Sequence, residues 1–239
     1  MRASATDQRA LLEVQSLDTQ LARLSHERRN LPVLTTLKDL EAHRATLEDQ
    51  RIRLSARLGD ERRELARVEA DVDQVRTRAA RHQERLNAGI PAREAQALQA
   101  EVEHLAVRTG VLEDEQLGVM ERVETTEDEL GAVGQALESL STRTQEAEAA
   151  RDAEFARLDA EATRIQEGRD VATEALPAPL VALYERVRES TGLGAVELVG
   201  ERTEPLELNL PLSEVSRIRS APEDQVVQSE EHEYIIVRR

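Results

Sequence analysis

The chain has 239 residues with no Cys or Trp, one Phe and two Tyr, a third of its side chains are charged, and its net charge is −16. So few aromatics argue against one large globule, because compact domains draw much of their packing from aromatic burial. The missing Cys excludes disulfides, thiol catalysis and cysteine-ligated metal, and the acidic balance disfavours a general polyanion binder, since phosphate backbones are held by clustered cations.

Ala, Leu, Glu and Arg dominate, the bias of long helices and coiled coils. No run approaches the ~20 apolar residues that span a bilayer, and Met1–Arg9 lacks the apolar core of a secretory leader. A cytoplasmic location without a membrane partner is expected. Residues 1–87 carry net charge +2 and residues 93–174 carry −13, so an Arg-rich stretch and an acidic one are suited to lie side by side.

From the start of the chain, Asn30-Leu31-Pro32 predicts a break, because proline lacks a backbone donor and restrains the residue before it. The helix over residues 7–29 is expected to fray or swing. Beyond it runs a heptad row, Leu40, Leu47, Leu54, Glu61, Val68, Val75 and His82, and a second row passes through Leu58, Leu65 and Val72. The breaker cluster Asn87-Ala88-Gly89-Ile90-Pro91-Ala92 follows. The pattern resumes as Leu98, Leu105, Leu112, Val119, Thr126, Val133 and Leu140, accompanied by Gln116, Val123, Leu130 and Leu137. Sustained seven-residue spacing specifies a left-handed supercoil, and so short a connection favours antiparallel neighbours. Pairs such as 47 with 133 and 75 with 105 sum to 180; 58 with 123 and 65 with 116 sum to 181. Both rows close on one fold-back point.

The fold class predicted is therefore mainly α: an antiparallel coiled-coil hairpin over residues 1–174, ~115–120 Å long at 1.5 Å per residue. Polar seam residues (Glu61, Thr109, Gln116, His82) are read as fixing register. Gly110, Gly118, Gly131 and Gly134 suggest local looseness in the second arm or close approach of the first. His26, His43 and His104 have no metal-ligand spacing.

Residues 175–192 read as a linker and short helix: Leu176-Pro177-Ala178-Pro179 ends the coil, and Leu180–Val187 is amphipathic. Residues 193–239 form a small β domain, with strands expected over 195–199, 206–210, 225–228 and 234–237 and a helical turn over 212–219. About forty residues make a weak core without a staple.

Four stretches carry a resemblance: Arg93–Glu101 just after the turn, Leu112–Glu121 along the second arm, Leu183-Tyr184-Glu185-Arg186 before the β domain, and Leu208–Pro222 with its Ser216-Arg217-Ile218-Arg219. With these the chain resembles the bacterial C4-type zinc-ribbon proteins, which place a coiled-coil hairpin before a C-terminal ribbon. The resemblance implies two Cys-x-x-Cys knuckles holding one zinc, and aligns those ligand positions with Thr203, Leu206, Ser229 and His232. The spacing is kept and the ligands are not, so the resemblance implies a zinc-ribbon-like domain that has lost its metal, with no cofactor.

No nucleophile–base set or phosphate-cradling loop occurs. Glu113-Asp114-Glu115 does not form an acid–base pair, because consecutive helical residues point in different directions. The expected function is a non-enzymatic adaptor or chaperone-like module binding protein partners, with self-association open; the family it resembles includes such adaptors. Two alternatives follow: an RNA or ribonucleoprotein binder using the Arg-rich arm, and a hairpin factor entering the RNA polymerase channel. The second wants acids at the tip, and residues 87–92 have none. Interaction candidates are Arg93, Glu94, Glu113, Asp114, Glu115, Arg217 and Arg219.

Overall fold

The computed structural model describes residues 1–206 and 208–238. In chain order it contains α1 (Ala5–Arg29), α2 (Pro32–Asn87), α3 (Ala92–Glu174), α4 (Ala178–Thr191), β1 (Ala195–Val199), β2 (Arg202–Glu204), α5 (Leu212–Ser220), β3 (Val227–Gln228) and β4 (Ile235–Arg238). The chain divides into two compact units, residues 35–148 and residues 1–34 with 149–239.

The 35–148 unit is the coiled-coil hairpin. Leu40, Leu54, Leu58, Glu61, Val68 and Val72 of α2 are buried, and so are Leu105, Leu112, Val119, Thr126, Val133 and Leu140 of α3. Most belong to the row whose partners sum to 180. Val68, Val72 and Leu112 form one apolar cluster, with Val75 against it. Cross-arm ion pairs confirm the antiparallel register: Arg62–Glu127 at 2.6 Å, Arg76–Glu113 at 2.5 Å, Arg78–Glu101 at 2.6 Å and Glu64–Arg122 at 2.8 Å. Exposed pairs of this kind contribute ~0.2–1 kcal/mol each, so they select register more than they stabilise. At the fold-back, Gly89 has φ 81°, a left-handed conformation that a side chain disfavours. Arg85 and Glu94 close the tip at 2.6 Å.

Of the two readings of the α3 glycines, looseness or close approach of the first arm, the second is not found. A Cβ built on Gly110, Gly118, Gly131 or Gly134 meets nothing within 4 Å. They lie on open faces, and packing of the first arm does not account for them.

The other unit is a head built around a mixed four-stranded sheet in the order β2-β1-β4-β3. β1 pairs with β4 in parallel, Ala195 opposite Ile235 and Val196 opposite Ile236, while the two outer pairings are antiparallel. Side chains alternate between the faces of a strand, and both faces are covered. Ala195, Ile235 and Val237 pack with Leu11 and Val14 of α1 and with Leu180, Tyr184 and Val187 of α4. Val196, Leu198, Val227 and Ile236 pack with Val215 and Ile218 of α5. This explains why Ile235-Ile236-Val237 is apolar without alternation.

Two expectations are corrected here. α1 is not a swinging appendage: Leu11 and Val14 are 0% exposed, and the first residues are tied down by Ala3 N–H to Asp224 O at 2.8 Å and Val226 N–H to Met1 O at 3.1 Å. Its break from α2 falls as expected, with Asn30 capping α1 and Pro32 opening α2, a position where the missing donor costs little. By contacts, residues 1–34 and 149–174 group with the sheet unit, while α3 itself runs unbroken from Ala92 to Glu174. Finally, among the described residues of 206–210 no strand forms. β2 ends at Glu204, Asn209 makes an isolated bridge to Arg202, and Glu207 lies outside the described residues. Zinc-ribbon character is not established by this mixed, helix-flanked sheet.

Candidate interaction surfaces

Within the hairpin unit, Leu117 and Met120 are 58% and 46% exposed although they sit beside strict seam positions. They line a shallow groove of about 340 Å³ with Leu65 and Val123, and its remaining walls are Glu121, Glu124 and Glu127. Glu127 is paired to Arg62; Glu121 and Glu124 make no ion pair among the described residues. An apolar strip with a carboxylate edge is chemically suited to a helix that carries apolar and basic residues on one face.

Below the groove, Glu61 is buried in the seam beside Thr126. Burial raises its carboxyl pKa, but the Thr126 hydroxyl, the Arg57 guanidinium at 2.9 Å and the charge of Arg122 outweigh this and hold it below the usual glutamate value. It is thus an ionised group in an otherwise apolar seam, and such groups set register at a cost in stability.

The head contains a buried polar knot. The Tyr184 hydroxyl donates to Asp18 Oδ2 at 2.7 Å, with Gln15 Oε1 at 3.2 Å. Gln15 Oε1 accepts the backbone N–H of Gly194 at 2.6 Å and of Ala195 at 3.2 Å. Arg169 binds Asp18 at 2.7 Å and also pairs with Glu185. Arg188 joins Glu185 at 2.7 Å. The hydrogen bonds Arg169 donates to Asp18 outweigh burial and, with Glu185, hold its guanidinium above the ordinary pKa. Burial first, then Asp18, pushes the Tyr184 phenol well up. One knot ties α1, the end of α3, α4 and the start of β1. A Cβ on Gly194 would run into the Tyr184 ring, so the strand entry requires glycine. Every group in the knot has a partner, so the network is fully satisfied and rigidifies this part of the head.

Glu94 and Glu113 are engaged across the hairpin with Arg85 and Arg76. Arg93, Asp114 and Glu115 are exposed. Arg217 pairs with Glu230 at 2.9 Å and Glu214 at 3.6 Å, and Arg219 donates to Gly200 O at 2.8 Å. Arg93, Glu94, Glu113, Asp114 and Glu115 belong to the hairpin unit, and Arg217 and Arg219 to the head. Arg62, Arg76, Arg78 and Arg85 each face a glutamate of α3, so this part of the Arg-rich arm is spent within the molecule. Sequence reasoning missed the groove and the knot. Leu117 and Met120 were visible as apolar residues outside both heptad rows, and Tyr184 as one of three aromatics.

The residues at the four aligned ligand positions do not fit zinc. Thr203 lies on β2 and Ser229 follows β3, at opposite edges of the sheet. The Thr203 hydroxyl is buried without a hydrogen-bond partner among the described residues, and the Ser229 hydroxyl accepts the His232 N–H at 3.4 Å. His232 stacks on Tyr234, with ring centroids 5.8 Å apart. Leu206 has no donor atom, and a structural zinc site requires four good ligands. Among the described residues no group of three or more His, Cys, Asp or Glu is placed to hold a metal ion, and no helix is long and apolar enough to cross a membrane.

An uncharacterized protein of Mycobacterium tuberculosis is 32% identical over 239 residues, covering 100% of this chain and 98% of its own. A solved structure from Mycobacterium smegmatis matches with TM-score 0.87 and 33% identity over 100% of both chains. The structure of CT398 from Chlamydia trachomatis matches with TM-score 0.73 over 98% of both chains at 16% identity, a likeness of fold alone. Residues 14–192 match the model of the CT398-like coiled coil hairpin domain, and the chain belongs to that family.

Proposed function

We propose that this protein is a non-enzymatic adaptor whose hairpin receives an amphipathic, basic helix of a protein partner. The observation that carries this reading is the groove of Leu65, Leu117, Met120 and Val123 edged by Glu121 and Glu124. Leu117 and Met120 lie outside both seam rows and are about half exposed, and exposed apolar side chains edged by charge are the usual anatomy of an interaction site. Local charge points the same way, because residues 93–174 carry net −13. No comparable observation favours RNA, since arginines of the first arm face glutamates of the second.

The head, in this reading, is a zinc-independent relative of the ribbon domains. Two apolar clusters and the Tyr184 knot supply the cohesion that a metal would otherwise give. Zinc analysis of the purified protein should find well below one equivalent per chain, and chelator should leave the melting curve unmoved; stoichiometric zinc refutes this part.

The adaptor reading is tested by in-cell crosslinking with wild type, L117K/M120K and E121K/E124K, all checked for unchanged melting. A helical partner crosslinked at the groove of wild type and lost in both variants supports it. A partner set that is the same in all three refutes it.

A further inference from the structure

A second concave site lies in the head, independent of the groove. A cavity of about 370 Å³ is lined by Arg9 of α1, Arg219 of α5 and Arg238 of β4, with Gln8, Leu198 and Glu223 among its other walls. In a chain of net charge −16, three arginines line one hollow. Among the described residues none of the three makes an ion pair with a carboxylate. Arg238 is occupied with carbonyls, donating to Ala221 O at 2.6 Å, Pro222 O at 2.9 Å and Gln225 O at 2.9 Å, so it ties β4 to the end of α5 while its charge stays uncompensated. Arg219 uses one N–H on Gly200 O at 2.8 Å. Arg9 makes no side-chain hydrogen bond among the described residues. Glu223 brings the one carboxylate on the wall; it is exposed and unpaired among the described residues, and its carbonyl accepts from Gln8 Nε2 at 3.0 Å.

We infer that this cavity binds a compact small molecule carrying two phosphate groups, gripped by Arg9 and Arg219 in the field of Arg238. Planar guanidinium forks match phosphate oxygens bidentately. Two largely free forks call for two anionic groups. The volume lies at the small end of ligand sites, and no aromatic ring lines it, so a stacked nucleobase is not part of the recognition.

The test uses the full chain at low salt, with inorganic pyrophosphate as the probe, inorganic phosphate as its single-group counterpart, and citrate as a carboxylate of similar charge. Calorimetric titration should give one saturable pyrophosphate site per chain, with phosphate weaker. R9Q and R219Q, whose side chains are exposed, should melt as wild type does and each weaken pyrophosphate binding about tenfold, equivalent to ~1.4 kcal/mol. Absence of saturable pyrophosphate binding, citrate binding tighter than pyrophosphate, or wild-type affinity in the R9Q/R219Q double variant would overturn the inference. These outcomes are separate from those of the groove, whose variants lie in the other unit.

Discussion

Asp18→Asn is the sharpest perturbation of the head, because one carboxylate there accepts from Tyr184 and pairs with Arg169. The substitution keeps the shape and removes the charge. Arg169 has a side chain only 12% exposed and would be left with Glu185, which is 29% exposed. Removing one partner of a buried ion pair costs ~3–5 kcal/mol; with Glu185 still present, a loss near the lower end, about 3 kcal/mol, is expected. Tyr184→Phe keeps the ring against Leu11 and Ile235 and deletes one hydrogen bond to a charged acceptor, for a loss of ~1.5–3 kcal/mol. The two changes share a partner, so the double variant should lose less than the sum. With no Trp and only two Tyr, near-UV circular dichroism in urea reports the tyrosine environments of the head, while far-UV signal follows all the helices. A loss below about 1 kcal/mol for D18N, or strict additivity in the cycle, would refute the knot as a coupled element.

Alkaline titration should unfold the head as the pH passes above about 10, the unfolded tyrosine value. The folded phenol is held above that value, so its contribution is complete below it and is lost as pH climbs; Y184F should remove this part of the alkaline sensitivity, read by near-UV signal and amide exchange. Glu61 behaves in the opposite sense: its folded pKa lies below the unfolded value, so its contribution is present above about pH 4.3 and is lost as pH falls through the folded pKa. E61L should flatten that acid limb of the melting temperature and be neutral or stabilising at pH 7; an unchanged acid limb contradicts the assignment. Gly194→Ala forces a Cβ against the Tyr184 ring and should destabilise the head by ~1–3 kcal/mol or more; a wild-type melt would count against so tight a strand entry. Spin labels at 47 and 133, and at 75 and 105, should lie within ~10 Å in one molecule, given the spacing of packed helices; distances several times larger would break the fold-back.

The hairpin was legible in the residues because its physics is one-dimensional. A seven-residue apolar period, a single breaker cluster and the requirement that both rows close on the same turn leave one register, and Leu54 with Thr126 or Val68 with Leu112 follow by counting. The head was not legible in that way. Its core joins residues far apart in the chain, Leu11 with Leu180 and Ile235, and periodicity carries no information about which distant faces meet. The strand Ile235–Arg238 was foreseeable from composition, but its parallel pairing with Ala195–Val199 depends on helices covering both faces. Nothing in the sequence links Asp18, Arg169 and Tyr184, which lie on three different helices. Only the folding of α1 against α4 brings them within hydrogen-bond distance, because the low dielectric of the resulting interior makes mutual pairing the cheapest way to satisfy all three. Arg9, Arg219 and Arg238 likewise come from three elements distant in the chain, and only the fold sets them around one cavity.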